Sequence, residues 1–187
     1  YSINQLNSFN NSLYFITNTS NKQNIRIYKL NNTGSPILLQ EFTQPQYGSI
    51  DIHNFTLIGT DIYFSITTDY NSGDDSDILW KSNGTSTGTS IVKSFNWNRH
   101  LSGSNISNFV EYKNELYFNS GSQNNYTLWK SDGFTTGTVQ VANISIDKTV
   151  KFQILKDVLY FSSGNKLWST DGTSVNTKKN SDLSITN

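Results

Sequence analysis

Short aliphatic and aromatic runs alternate with polar turns along the whole chain, and the runs recur in a set order. An aliphatic-Tyr-Phe triplet appears as Leu13-Tyr14-Phe15, Ile62-Tyr63-Phe64, Leu116-Tyr117-Phe118 and Leu159-Tyr160-Phe161. Each is answered further on by an aliphatic-aromatic pair entering an Asn or Asp turn. These read Ile27-Tyr28-Lys29 before Asn31-Asn32-Thr33, Leu79-Trp80-Lys81 before Asn83-Gly84-Thr85, Leu128-Trp129-Lys130 before Asp132-Gly133, and Leu167-Trp168-Ser169 before Asp171-Gly172-Thr173. The four tyrosines lie 49, 54 and 43 residues apart, a period that signals stacked supersecondary units whose cores form only when neighbours cover one another.

The third unit shows the plan best. Phe109 to Tyr112 precedes a tight Lys113-Asn114 turn, then come Leu116 to Phe118, a polar loop over 120–125, Tyr126 to Trp129, the Asp132-Gly133 turn, and Val139 to Ile144. Turn residues every eight to twelve positions between β-branched and aromatic runs predict a meander of four antiparallel strands. No window repeats its apolar residues at helical spacing, so the chain is expected to be all-β.

Alternation along a strand puts Leu116 and Phe118 on one face and Tyr117 on the other, and likewise divides Leu128 from Trp129. Both faces of each small sheet are therefore apolar, whereas a sheet with one wet face would alternate apolar with polar. Radial stacking in a β-propeller covers both faces, and 40 to 50 residues is the size of one blade. A two-sheet sandwich is the competing fold, but it covers one face per sheet and has no reason to repeat. The sequence thus predicts a single repeat domain over 1–187, a β-propeller-like array of four four-stranded blades over about 1–47, 48–98, 99–146 and 147–187. The ring is either small and closed or part of a larger one. The first unit is the most worn, with Tyr28 in the Trp place and Asn32 in the Gly place.

Composition narrows the partners. Charged residues are 15% of the chain, with 14 basic and 14 acidic side chains and zero net charge, well under the roughly 25% of typical globular chains. Asn, Ser, Thr, Gln and Gly supply about half of the residues. No basic patch exists to meet a nucleic-acid backbone or an anionic membrane, and no apolar stretch approaches the length of a membrane-spanning helix. With no cysteine, thiol chemistry, thiolate metal sites and disulfides are excluded. The chain begins at Tyr1 and has no Met, as expected of a processed secreted chain or a fragment. An extracellular or cell-surface location is the expectation.

The recurring Asx-Gly turns have a mechanical basis: the side chain accepts backbone hydrogen bonds two residues on, and Gly takes the positive φ. Beyond them, Thr85-Ser86-Thr87-Gly88-Thr89 and Phe134-Thr135-Thr136-Gly137-Thr138 suggest a second turn feeding the last strand. On these residues the chain resembles a bacterial repeat family whose unit reads Glu-Leu-Trp-x-x-Asp-Gly-Thr-x-x-Gly-Thr. Residues 127–138 match best and 78–89 next, while 166–173 keep the first half and continue Ser174-Val175-Asn176-Thr177. No copy has the leading Glu. The resemblance implies a secreted or cell-surface, propeller-like module of bacteria and transfers no catalytic residue.

Catalytic constellations are lacking. His53 and His100 fall in different units at no metal-ligand spacing, and Glu41, Glu111 and Glu115 are scattered, so no enzymatic activity is expected. Two segments carry a functional reading. Asn71 to Asp77 places Asp74, Asp75 and Asp77 in one acidic loop, a ligand set for Ca²⁺ that lacks the Gly and closing Glu of an EF-hand; the plainer reading is a solvated loop tip. Between the second and third units, Asn96-Trp97-Asn98-Arg99-His100 sets a Trp with no counterpart in the repeats beside planar polar groups. Such a cluster suits a sugar ring or a protein hot spot, or simply caps a junction. Asn-x-Ser/Thr triplets at Asn10, Asn18, Asn31, Asn54, Asn83, Asn105, Asn125 and Asn143 are about what composition supplies. The expected function is a non-catalytic extracellular binding or adhesion module for a carbohydrate or surface protein. The alternative is a self-associating structural subunit of a surface array or filament, aided by open strand edges and zero net charge.

Overall fold

A computed structural model describes residues 2–19, 24–43, 48–70, 76–96, 106–122, 125–164 and 166–181. Among them there is no helix, and the strands form four antiparallel sheets of four, each in simple meander order. The first sheet is β1 (Ser2–Phe9), β2 (Ser12–Asn18), β3 (Asn24–Leu30) and β4 (Pro36–Thr43). The second is β5 (Gly48–Ile58), β6 (Asp61–Tyr70), β7 (Ser76–Ser82) and β8 (Thr89–Asn96). The third is β9 (Ile106–Tyr112), β10 (Glu115–Ser122), β11 (Asn125–Ser131) and β12 (Val139–Ile146). The fourth is β13 (Phe152–Leu155), β14 (Val158–Ser163), β15 (Lys166–Thr170) and β16 (Lys178–Ser181). Each sheet falls within one of the four repeats expected from the sequence.

The first hairpin of each sheet is set by turn chemistry. Asn10-Asn11, Lys113-Asn114 and Lys156-Asp157 hold positive φ at both positions, the mirror-image turn whose twist matches that of paired strands. Two strand interiors carry bulges at equivalent places, with Asn54 at φ 56° and Asn108 at φ 59°. There the side chains close the gap in the ladder: Asn54 Nδ2 donates to Ser65 Oγ at 3.0 Å and Asn108 Nδ2 to Asn119 Oδ1 at 2.8 Å. Strands run further than the apolar runs suggested. β10 continues through Asn119 and Ser120, which are buried, to Ser122, and β11 begins at Asn125, so most of the loop expected over 120–125 is strand.

The chain divides into two compact units, Tyr1–Ser102 and Gly103–Asn187, of two sheets each. In the first unit, Tyr14, Ile16 and Ile27 of the first sheet meet Ile62, Phe64 and Ile66 of the second, with Phe55 and Trp80 packed against them. In the second unit, Tyr117, Tyr126 and Leu128 of the third sheet meet Leu159 and Phe161 of the fourth, with Phe152 and Trp168 alongside. Both cores obey one rule: the Tyr-bearing face of a sheet receives the Phe/Trp-bearing face of the next. Each fully buried Leu or Phe contributes about 1.5–3 kcal/mol relative to exposure, so the pairing of sheets, not strand propensity, holds each unit together.

Burial on both faces, expected of all four sheets, is met in two. β6 is buried from Ile62 to Thr68 and β10 from Leu116 to Ser120 without interruption. The first and fourth sheets each leave one apolar face open, with Leu6, Leu38 and Leu155 at 61%, 41% and 58% exposure.

Candidate functional site

The two segments singled out from the sequence fall mostly outside the described residues. Trp97, Asn98, Arg99 and His100 lie outside them, and Asn96 is the last residue of β8. Asp74 and Asp75 also lie outside. Asp77, expected in the acidic loop, instead stands in β7 opposite Thr67 and is buried at 1% exposure, with the Thr67 hydroxyl donating to its Oδ1 at 2.6 Å. The strand pairing runs on past the apolar stretch and turns this carboxyl inward. Among the described residues no three His, Cys, Asp or Glu side chains gather as a metal site.

The turns after the Trp strands share one hydrogen-bonded box. In the third sheet the Gly133 N–H donates to Ser131 Oγ at 3.0 Å, Ser131 Oγ lies 2.7 Å from Thr138 Oγ1, and Thr138 donates to the Phe134 carbonyl at 2.7 Å. A hydroxyl has one proton, and that of Thr138 is committed to the carbonyl, so Ser131 is the donor to Thr138. The second sheet repeats the relay with Gly84, Ser82, Thr89 and Thr85, and the fourth with Gly172, Thr170, Thr177 and Thr173. The Asx residue closes the other side: Asn83, Asp132 and Asp171 each accept the backbone N–H two residues on. A β-carbon on Gly137 would lie 2.1 Å from the Asp132 carboxylate, which explains Gly there without any positive φ. In the fourth sheet Asn176 holds that place and donates its amide to Asp171 Oδ2 at 2.7 Å. The Thr173 hydroxyl and Asn176, with the Thr173 N–H, draw the Asp171 carboxyl down to about 2. The first unit departs from the pattern. Asn32 was expected in the Gly place, but the positive φ falls on Gly34, and Asn31 Oδ1 accepts from both Thr33 and Ser35 N–H in a shorter turn.

These boxes are structural, and they also form the sheet-to-sheet contact. The Tyr117 hydroxyl of the third sheet reaches the Gly172 turn of the fourth, Lys113 Nζ donates to the Asp171 carbonyl at 3.0 Å, and Tyr112 donates to the Asp157 carbonyl. Burial, reinforced by the negative field of Glu115, pushes the Tyr117 phenol well above its ordinary range, so it stays a neutral donor. In the first unit the Tyr14 hydroxyl takes the matching position at Gly84, joined there by Lys29 from β3.

Across every sheet runs a row of large side chains on the Phe/Trp face. It reads Phe64-Trp80-Ile91 with Phe55 in the second, Phe118-Trp129-Gln140 with Phe109 in the third, and Phe152-Phe161-Trp168-Lys179 in the fourth. The first sheet carries Leu6-Phe15-Tyr28-Leu38, paired residue to residue, with the Phe15 and Tyr28 rings stacked at 5.1 Å. Trp80, Trp129 and Trp168 thus occupy one structural position in successive sheets. Trp129 Nε1 donates to Thr127 Oγ1 at 2.9 Å. The matching places before Trp80 and Trp168 are Ile78 and Lys166, and those two indole N–H groups are buried without a partner among the described residues. The open row of the first sheet escaped the sequence reading because its members, 6, 15, 28 and 38, come together only through strand register.

No protein-family model matches this chain, and no curated protein matches it. Among solved structures it is similar to a mutant of the GH43 protein BlXynB from Bacillus licheniformis, at 14% identity and a TM-score of 0.43, over 95% of this chain and 41% of that one. A protein from Lactobacillus plantarum is similar at 13% identity and a TM-score of 0.47, over 91% of this chain and 53% of that one. The complex of the fission yeast SREBP-SCAP binding domains is similar at 11% identity and a TM-score of 0.43, over 91% and 48%. The chain therefore spans about half the length of these structures.

Proposed function

We propose that this chain is a non-catalytic extracellular binding module whose sheets are blades of a β-propeller, related to the Glu-Leu-Trp-x-x-Asp-Gly-Thr repeats, and whose ligand is a carbohydrate or a surface protein. The observation that carries the reading is the accounting of the tryptophans. Three of the four fill one packing position in successive sheets, while Trp97 has no counterpart in the repeated sequence units and follows β8 in sequence, flanked by Asn96, Asn98, Arg99 and His100. Supporting it, much of the polar chemistry serves the scaffold: Glu41 pairs with Arg26, Asp61 with Lys81 and Glu115 with Lys130 across strands, and Asp132 and Asp171 close turns. The test is a glycan array and a pull-down from native surface material, run with the parent chain and Trp97→Ala. Loss of the bound ligand at unchanged melting temperature supports the reading; no ligand from either assay, or a large drop in melting temperature, overturns it.

A second reading, self-association as a structural subunit, is favoured by a separate observation: the open apolar row of the first sheet, on a chain of zero net charge.

A further inference from the structure

We infer that Asn83 is a latent deamidation site: its side-chain carbonyl is prepared for attack by the Gly84 nitrogen, and the Ser82 hydroxyl withholds that nitrogen. Asn83-Gly84 is the one Asn-Gly pair in the chain. In such a pair the following backbone nitrogen, once it loses its proton, adds to the side-chain amide carbon, and ammonia leaves as a succinimide ring closes. Water then opens the ring to aspartate or to isoaspartate, in which the backbone runs through the side-chain carboxyl. Glycine favours the attack because it has no β-carbon to hinder the approach.

The electrophile is prepared by the turn itself. Asn83 is exposed, and its Oδ1 accepts from the Thr85 N–H at 3.1 Å and from the Thr85 hydroxyl at 2.7 Å. Two donors on one carbonyl oxygen stabilise the negative charge that grows there as the nitrogen adds to the carbon. The Thr85 hydroxyl is fixed in this direction, because it also accepts from the Gly88 N–H at 3.0 Å.

The nucleophile is held back by the hydroxyl relay. Gly84 and Ser82 are both buried, and the Gly84 N–H donates to Ser82 Oγ at 3.1 Å, which shields its proton from a solvent base. Ser82 is anchored in turn by Thr89 at 2.7 Å, whose own proton goes to the Thr85 carbonyl at 2.7 Å. From the first sheet, the Tyr14 hydroxyl and Lys29 Nζ close on Gly84, 2.9 and 3.1 Å from where a β-carbon would stand. Attack therefore waits on local opening of this turn.

The equivalent turns show which product the fold accepts. Asp132 and Asp171 accept the N–H two residues on, as Asn83 does, while Gly133 and Gly172 donate to Ser131 and Thr170. Aspartate at position 83 thus keeps the turn and adds a negative charge. Isoaspartate adds a carbon to the backbone between Ser82 and Gly84 and breaks the relay.

The experiment is peptide mapping by mass spectrometry, with isoaspartate detected by its enzymatic methylation. The parent chain, Ser82→Ala and Ser82→Thr are incubated folded in mildly alkaline buffer, beside a synthetic peptide of residues 78–89 as the unstructured reference. Asn83 of the parent is expected to react at least about tenfold more slowly than in the peptide. Ser82→Ala should react about tenfold faster than the parent, and Ser82→Thr should stay near the parent, since Thr170 accepts the matching N–H in the fourth sheet. A thermal melt verifies that each variant folds. A second measurement needs no variant: in the parent under increasing sub-denaturing urea, deamidation should rise in step with hydrogen exchange of the Gly84 amide. A folded parent as reactive as the peptide, a folded Ser82→Ala no faster than the parent, or deamidation that does not follow Gly84 exchange overturns the inference.

Discussion

The hydroxyl of Tyr117 occupies the space that a β-carbon on Gly172 would need: the two would lie 2.2 Å apart, and Gly172 itself holds φ +97°. The Tyr of the triplet and the Gly of the turn, 55 positions apart in sequence, are therefore two halves of one contact between successive sheets. Gly172→Ala is expected to cost about 3 kcal/mol, combining left-handed strain with overpacking. Gly164→Ala, at φ +55° with nothing within 4 Å, is expected to cost about 1 kcal/mol from the backbone alone. Urea unfolding measures both, and Tyr117→Phe in the Gly172→Ala background should return part of the difference. Equal costs at the two glycines would refute the contact.

The hydroxyl relay predicts an unequal response at one buried position. Ser131→Ala removes the acceptor of the Gly133 N–H and the donor to Thr138, leaving buried groups unpaired, at a cost of about 2 kcal/mol. Ser131→Thr keeps both bonds, since Thr170 performs the same role in the fourth sheet, and should retain most of the stability. Chemical denaturation of the pair decides it, and a Thr variant as damaged as the Ala variant would contradict the relay.

Asp171 gives a pH dependence with a definite sign. Its carboxyl is held at about 2, against an ordinary 3.8, first by the Thr173 hydroxyl and then by Asn176. A depressed folded value means that the stabilisation is complete above the unfolded value and is lost as pH falls from about 4 through about 2. A carboxyl-detected NMR titration should find the Asp171 midpoint moved up toward 3.8 by Thr173→Val, and moved by less in Asn176→Ala. An unmoved midpoint in the Val variant would remove the hydroxyl as the cause.

Thr127→Val tests the indole bond peculiar to the third sheet. It preserves shape while removing the acceptor 2.9 Å from Trp129 Nε1 together with the hydroxyl's own longer donation to the Ser120 carbonyl at 3.3 Å, and should cost about 1 kcal/mol by thermal or chemical unfolding. No change would mean that the indole N–H is as well off without a partner as those of Trp80 and Trp168.

The four meanders, their places along the chain and the alternation that divides Tyr117 from Leu116 and Phe118 were legible in the residue pattern. Period-two alternation and turn residues act locally, so hairpins such as Lys113-Asn114 declare themselves. Asp77 was misplaced for the same reason: nothing local distinguishes a strand carboxyl bonded to Thr67 from one at a loop tip. In the first unit the repeat spacing points to Asn32 as the Gly place, whereas the shorter turn puts the left-handed residue at Gly34.

Sequence alone determined that every sheet would carry two apolar faces, because side chains on a strand must alternate whatever surrounds it. Which of those faces finds a cover was decided only in three dimensions. Leu6, Phe15, Tyr28 and Leu38 are ordinary apolar residues until strand register aligns them. Their exposure depends on whether another sheet comes against them, and burial belongs to the arrangement of sheets and to no single stretch of chain.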